Sequence, residues 1–588
     1  MQNLVIIISM SLCTALAHLA AAPVKLHDEP PVSVNLLVDG VVLIDFGRVS
    51  FGNIRLNPPV GATGEVTVHF GEAFTESRIN RKPPGSVRYK KVKIKFQGEK
   101  FIIVEPSADR RNTMTAHRNN PPAILTPEEW GVVLPFRWVE IEGWPGEFKA
   151  EQITRQSAWS STWNDDAADF ESSDDTLNRI WDLCKYSIKA TTFAGVYVDG
   201  DRERIPYEAD AYLNQLSHYY TDSDIEMARD TYDHLMKNET WPTEWASHMI
   251  FMAHADWMQT ADVKWLKPRY EALKKKLLTH RKDEKGLIIS RPKDIKRTDI
   301  VDWPKLERDG HVFERYNTVV NAFHLQTLAQ MSDLAAALGK TAEAQAFKQE
   351  YQSVSEVFQQ TFYNTESNIY RDGSETDHSS QHSNLFPLAF GLVPSGKQAG
   401  VTEWTADRGM KCSVYAAQYL LEGLFEHGED KKAMDLILAD NDRSWKHMVN
   451  SGATITWEAW DQKYKPNQDW NHAWGAAPAN ILPRYVLGVE AHTAGWKQIQ
   501  IRPYISGLSY AKGKVPTPHG SVHVHWVLAD TFKLSVTTPE NIPAHIDLPF
   551  VKGSTTVKVN GKPVKAKRKA KRWILTQPIT GTAHIEVL

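Results

Sequence analysis

Cysteine is scarce: three residues in 588, at Cys13, Cys184 and Cys412. So few thiols exclude a disulfide framework or a cysteine-built zinc site as the organising feature of the chain. Neither sign of charge dominates, since 68 Lys and Arg stand against 71 Asp and Glu, for a formal net charge of -3. That balance gives no electrostatic footprint for a nucleic acid or an anionic membrane as partner. After the first 22 residues no apolar run is long enough to span a bilayer. There is no His-Glu-x-x-His, no Walker glycine pattern and no dinucleotide glycine pattern, and Asp377, His378 and His382 are too sparse for a metal site. No cofactor and no metal are therefore expected. Composition is otherwise that of a folded protein, with 42% hydrophobic and 24% charged residues. The length exceeds one core and suggests about three or four domains.

Aromatic residues are plentiful, with 20 Trp and 19 Tyr. Their flat faces stack on the C–H faces of sugars, although most such rings serve as ordinary core. At the N-terminus the apolar run Leu4 to Leu12 precedes Ala15, Ala17, Ala20, Ala21 and Ala22. This is the pattern of a cleavable signal peptide over residues 1–22, so a secreted or periplasmic protein is expected. Pro23 disfavours cleavage directly after Ala22, and Met10-Ser11-Leu12 before Cys13 is a poor lipobox, which speaks for export without a lipid anchor. Cys184 and Cys412 then remain, and both a disulfide and two buried thiols are compatible with the sequence.

From about Val32 to Ala158 the chain reads as β structure, in short β-branched or aromatic runs such as Glu65-Val-Thr-Val-His-Phe and Phe136-Arg-Trp-Val-Glu-Ile-Glu. A β-sandwich is the natural reading. At Ser172-Ser-Asp-Asp the period changes: Leu177, Ile180, Trp181 and Cys184 recur at helical spacing behind good N-cap residues. Helices follow to about Tyr485, clearest over Asp224 to Met236, Asn317 to Leu338, Thr341 to Phe362 and Val414 to Glu426. Short connectors pair them as helical hairpins. After Gly488 alternation with period two returns, as in Ser521-Val-His-Val-His-Trp, and Asn560-Gly561 looks like a hairpin turn. The basic run Lys565 to Arg572 reads as a solvated hairpin. The layout is β, then α, then β.

The densest ionisable cluster is Asp199-Gly-Asp201-Arg202-Glu203-Arg204-Ile-Pro-Tyr207-Glu208-Ala-Asp210. It lies where one helix ends and the next begins, a place suited to side chains pointing into a cleft. Crowded carboxylates raise the pKa of at least one, while flanking arginines keep others ionised. A glycosidase needs that asymmetry, one carboxyl to donate a proton and one to accept. Taken alone, though, such a run is more often a solvated charged turn. Far along the chain, Glu458 stands between Trp457 and Trp460, costly for an acid unless it is paired or functional. His472 follows in Trp470-Asn-His-Ala-Trp, and two further patches offer Asp302 beside Trp303 and Glu244 beside Trp245.

These segments, in this order, resemble the family 78 α-L-rhamnosidases over nearly the whole mature chain. The family's acid motif, Arg-Asp-Glu-Arg-x-Gly-Trp-x-Gly-Asp, is similar to Asp201-Arg-Glu-Arg-Ile-Pro-Tyr-Glu-Ala-Asp. The resemblance implies Glu203 as general acid and Asp210 as a sugar-binding carboxylate, with Asp199 and Asp201 both candidates for a second. Thr456-Trp-Glu resembles the Trp-Glu motif that carries the general base, which implies Glu458. Asp302-Trp303, Asn471-His472 and Trp245 resemble sugar-contacting positions, and Arg202, Tyr207 and Trp457 would join them in the pocket. The implied fold is a central all-α (α/α)6 barrel over residues 161–487, flanked by β-sandwich domains over residues 23–160 and 488–588. The implied activity is inverting hydrolysis of terminal α-L-rhamnosyl residues, with a carbohydrate as substrate and a monomer or homodimer as assembly. Tyr207 replaces the usual Trp, and Pro206 and Ala209 replace glycines, which points to an altered subsite. Those departures keep open a six-hairpin glycosidase for a different deoxy sugar or uronic acid; the other rival, a non-catalytic carbohydrate binder, has the presence of both Glu203 and Glu458 against it.

Overall fold

The computed structural model describes residues 24–114 and 121–588. The expected leader, with Cys13, lies outside the described residues. One long strand, Val42–Leu56, organises the N-terminal sheet-rich domain. Its first half pairs with Ser33–Leu36, its second half with Ile102–Val104 and Ile153–Ser160, and Leu134–Glu142 pairs with both. The register shifts between Asp45 and Ser50. Gly47 supplies a φ of 79° there, and the irregularity bends the strand so that it serves both halves of one sheet. Thr63–Gly71 and Tyr89–Gln97 extend the first half. The period-two pattern turns Val66, Val68 and Phe70 inward, onto Phe136, Val139 and Ile141.

The helical domain opens with Asp175–Thr191, where the Asp174 carboxylate accepts from the Leu177 amide at 2.9 Å and so caps the first turn. Its buried stripe is Leu177, Ile180, Trp181, Cys184 and Ile188, as the helical spacing requires. Thr318–Ala337 and Thr341–Phe362 show how the layers form. The first is buried on nearly every face, whereas the second buries only Val354, Phe358 and Phe362. One helix is therefore inner and its hairpin partner outer. The buried helices Glu208–Thr221, His248–Thr260, Thr318–Ala337, His382–Ala389, Ala416–Glu426 and Pro478–Ile481 touch in that order, and the last returns to the first. Cys184 and Cys412 are both buried and free, so the thiol alternative holds.

Two sheets make up the C-terminal domain. Val522–Leu528 alternates as expected, with Val522, Val524 and Trp526 inside and His523 and His525 exposed. The Trp526 indole donates to the Val486 carbonyl at 2.8 Å, which pins this sheet to the last helical segment. Asp169–Ser172, which precedes the helices in the chain, pairs with Tyr510–Val515 and so belongs to this distant sheet. Asn560 and Gly561 both have positive φ, the backbone a tight hairpin turn demands. Among the described residues no helix is long and apolar enough to cross a membrane.

Candidate active site

The segment between Asp175–Thr191 and Glu208–Thr221 carries the acidic cluster, and it lies against a second stretch, residues 456–474. Those residues double back on themselves. The His472 amide donates to the Thr456 carbonyl at 2.9 Å, and the Glu458 amide to that of Asp469 at 3.3 Å. Gly200, at φ 94°, lets the two segments meet, because a Cβ there would lie 2.8 Å from the Asn471 carbonyl oxygen. Between them is a cavity of about 220 Å³ lined by Asp199, Arg202, Glu203, Tyr207, Asp210, Trp241, Trp245, Trp303, Glu458, Lys465, Asn467, His472 and Trp474.

Glu458 is buried, yet charged. The Arg202 guanidinium donates to its two oxygens at 2.5 and 3.0 Å, and the Lys465 ammonium lies 3.0 Å from one of them. Burial alone would raise its pKa, but Arg202 and Lys465 outweigh burial and hold it at about 2. Glu203 lives in a different environment. Its side chain is one-third exposed, accepts from the Tyr207 hydroxyl at 3.3 Å and lies 3.5 Å from Arg202 Nε. One guanidinium thus touches both carboxyls. Burial and the neighbouring Glu203 push the Asp199 carboxyl well above the ordinary carboxylate range. His472 is clamped between Asp210, at 2.7 Å from Nε2, and Asp469, at 3.2 Å from Nδ1. Burial opposes its charge, but the two carboxylates lift the imidazole to about 10. Glu458, Asp469 and His472 bring ligand-type atoms within 4.8 Å of one another. A metal ion there would confront Arg202, Lys465 and an imidazolium.

This arrangement can do acid–base chemistry on a small neutral polyol. A locked carboxylate and a partly exposed one share a pocket that four indole rings also line. A profile of the bacterial α-L-rhamnosidase six-hairpin glycosidase domain matches residues 165–486. Profiles of that family's concanavalin-like and C-terminal domains match residues 36–158 and 488–562. The chain belongs to the bacterial α-L-rhamnosidase family, glycoside hydrolase family 78. Among its relatives in the family, an α-L-rhamnosidase of Alteromonas sp. (strain LOR) is 25% identical, over 92% of this chain and 60% of that protein. One from Formosa agariphila is 24% identical, over 76% and 51%. Among solved structures, the α-L-rhamnosidase from Dictyoglumus thermophilum superposes with a TM-score of 0.79 at 19% identity, covering 96% of this chain and 64% of that one. The Streptomyces avermitilis α-L-rhamnosidase complexed with L-rhamnose superposes at 0.78 and 17%, covering 97% and 54%. The chain spans about half to two-thirds of the length of these relatives.

Of the residues expected from the family motifs, Asp199, Arg202, Glu203, Tyr207, Asp210, Trp245, Trp303, Glu458 and His472 meet at the cavity. Three do not. Asp201 points into the N-terminal domain, paired with Arg88 at 2.5 Å and Arg204 at 2.7 Å. Of the two upstream aspartates, Asp199 is the one that lines the cavity. Asp302 is fully buried behind Trp303, accepting from the Ser413 amide at 2.9 Å, the Trp303 amide at 2.7 Å and His382 at 2.6 Å. It positions the indole and does not reach the cavity. Trp457 turns away from the cavity to stack on Trp470, with ring centroids 5.2 Å apart. Glu244 likewise faces backwards, holding the Ile300 and Val301 amides at 3.1 and 2.9 Å. Sequence reasoning passed over Trp241 and Trp474, although both stand in the aromatic patches that flagged Trp245 and His472. Lys465 and Asn467 carry no motif signal at all.

The paired histidine makes stability depend on pH in a defined direction. Its folded pKa of about 10 lies above the ordinary 6.5. The charged clamp therefore contributes fully below pH 6.5 and is lost as pH rises towards 10. The melting temperature should fall by several degrees between those limits. In His472→Gln, thermal melts across that window should show a visibly flatter slope; an unchanged slope would refute the clamp.

Proposed function

We propose that this chain is an inverting α-L-rhamnosidase in which Glu203 is the general acid and Glu458 the general base. The observation that carries the reading is the meeting of these two carboxyls, far apart in sequence, at one cavity with opposite surroundings. Glu458 takes a proton from a water molecule as its oxygen attacks the anomeric carbon. Glu203 gives its proton to the glycosidic oxygen on the opposite face as the C–O bond breaks. Inversion needs a gap of roughly 6.5–9.5 Å between the carboxyls. The Arg202 guanidinium, within 3.5 Å of Glu203 and 2.5 Å of Glu458, fits a separation of that order. Asp199, Asp210 and the His472 imidazolium would hold the sugar hydroxyls, where hydrogen bonds that tighten as positive charge develops lower the barrier. Trp241, Trp245, Trp303 and Trp474 would enclose the ring and the methyl group of the deoxy sugar. The same reading takes the cyclic succession of buried helices as an (α/α)6 barrel over residues 161–487. Residues 23–160 and 488–588 would form flanking β-sandwiches, and residues 1–22 a leader for export to the periplasm or medium.

Proton NMR of the first-formed sugar tests the stereochemistry directly. An α-L-rhamnoside should release β-L-rhamnose before mutarotation. Appearance of the α anomer first would remove Glu458 as a base acting on water. Absence of rhamnose release from any rhamnoside, with release from another deoxy sugar or a uronide, would move the activity to that sugar.

A further inference from the structure

A second cavity, of about 240 Å³, adjoins the first and shares Arg202, Glu203 and Asn467 with it. Its other walls are Arg111, Met114, Pro121 and Ala123 from the N-terminal domain, with Ile205. Among the described residues Glu203 is the one carboxyl common to both cavities. A glycosidic oxygen protonated by Glu203 has the sugar being cleaved on one side and the leaving group on the other. The first cavity holds Glu458, where the water must attack, so the leaving group lies in the second.

The floor of this second cavity, Met114, Pro121, Ala123 and Ile205, is apolar, and Arg111 is the cation added to it. Arg111 is half exposed, with 49% of its side chain accessible. Its donors reach Asp109 at 3.1 and 3.3 Å and Ser86 Oγ at 3.3 Å. A guanidinium carries five N–H groups, and the contacts of Arg111 among the described residues leave two of them for a ligand. Its charge is also under-matched. Asp109 is shared with Arg88, which also pairs with Asp201, and Asp201 in turn serves Arg204. Three guanidiniums thus lean on two carboxylates. Glu72, the other acid beside Arg88, does not restore the balance, because burial pushes it up to about 8.

Resting on the glycosidase reading, we propose that the second cavity is a leaving-group subsite in which Arg111 selects a leaving sugar that bears an anionic substituent, a carboxylate or a sulfate ester. The apolar floor carries the ring and the free N–H pair of Arg111 takes the anion in a forked contact. The test compares kcat/KM on three rhamnosides of one linkage, whose leaving sugar is glucose, glucuronate or glucose 6-sulfate. The wild-type chain should favour at least one anionic member over the neutral one by on the order of tenfold, with the preferred arm naming the substituent. In Arg111→Ala that ratio should collapse towards unity, and Arg111→Lys should restore part of it. Equal rates on all three substrates in the wild type, or a ratio unmoved by Arg111→Ala, would overturn the proposal. Binding of free methyl glucuronide, methyl glucoside 6-sulfate and methyl glucoside by titration calorimetry reads the subsite without any hydrolysis. Preference for an anion there, lost in Arg111→Ala, supports the subsite even if no rhamnoside is cleaved. Equal affinity for the charged and neutral glycosides counts against it.

Discussion

With Glu458 as the proposed base, Glu458→Gln should lower kcat by about 10³-fold or more on every rhamnoside, good leaving group or poor. The amide fills the same space but cannot accept the proton of the attacking water, and that water is needed whatever group departs. Arg202 and Lys465 make the carboxylate a weak base but an always-ionised one, with a pKa of about 2. The matching requirement is met late in the reaction, when bonding to an electron-poor anomeric carbon has made the water strongly acidic. Because Glu458 stays ionised, the acid limb of the pH–rate profile above about pH 3 belongs to other groups. The stability it contributes is likewise complete above the ordinary carboxylate range and is lost only as pH falls towards 2. The amide removes the closest counter-charge of two buried cations, so the melting temperature should also fall. Glu458→Ala separates base from structure. Azide should enter the vacated space, attack the anomeric carbon and yield the inverted rhamnosyl azide, restoring substrate consumption. A Glu458→Gln variant that keeps a tenth of wild-type turnover would end the assignment.

Much of this site is legible in the amino-acid sequence because its chemistry sits in two short segments with unusual surroundings. Glu458 between indoles, and Glu203 within a run of acids and arginines, are visible as energetic anomalies in one dimension. The β–α–β order is legible too, since hydrophobic periods of two and of three to four residues differ on sight. What stays hidden is what depends on contacts between distant segments. Nothing in the run itself separates Asp199 from Asp201, because the decision comes from Arg88 and Asn112 in the N-terminal domain. Glu72 holds Asn471 at 2.8 Å, and Ser86 fixes the Asn467 carbonyl at 3.0 Å. A sheet domain that reads as an appendage therefore braces both active-site segments. Trp457 misleads for the opposite reason: adjacency to Glu458 in sequence suggests a shared pocket, but its ring stacks on Trp470 instead. Asp169–Ser172 shows the same limit at the scale of domains, since its partner strand lies more than three hundred residues onward.

Glu203→Gln should divide substrates by the quality of their leaving groups. On natural disaccharides, whose leaving alkoxide needs a proton, kcat/KM should drop by on the order of 10²–10⁴-fold. On aryl rhamnosides with a strongly acidic phenol, the departing oxygen carries its own negative charge and the loss should be far smaller. The structure gives a physical reason for placing the acid here. Glu203 stands at the mouth shared by both cavities, one-third exposed, where a departing group can leave with its proton and solvent can return another. Glu458 has no such access behind Arg202 and Lys465. The decisive quantity is the slope of log kcat/KM against leaving-group pKa over a series of aryl rhamnosides. It should be shallow in the wild type and steeply negative in the variant. Equal slopes, or equal losses on disaccharide and aryl substrates, would assign Glu203 to binding and send the search for the acid to Asp199, the other carboxyl in that wall.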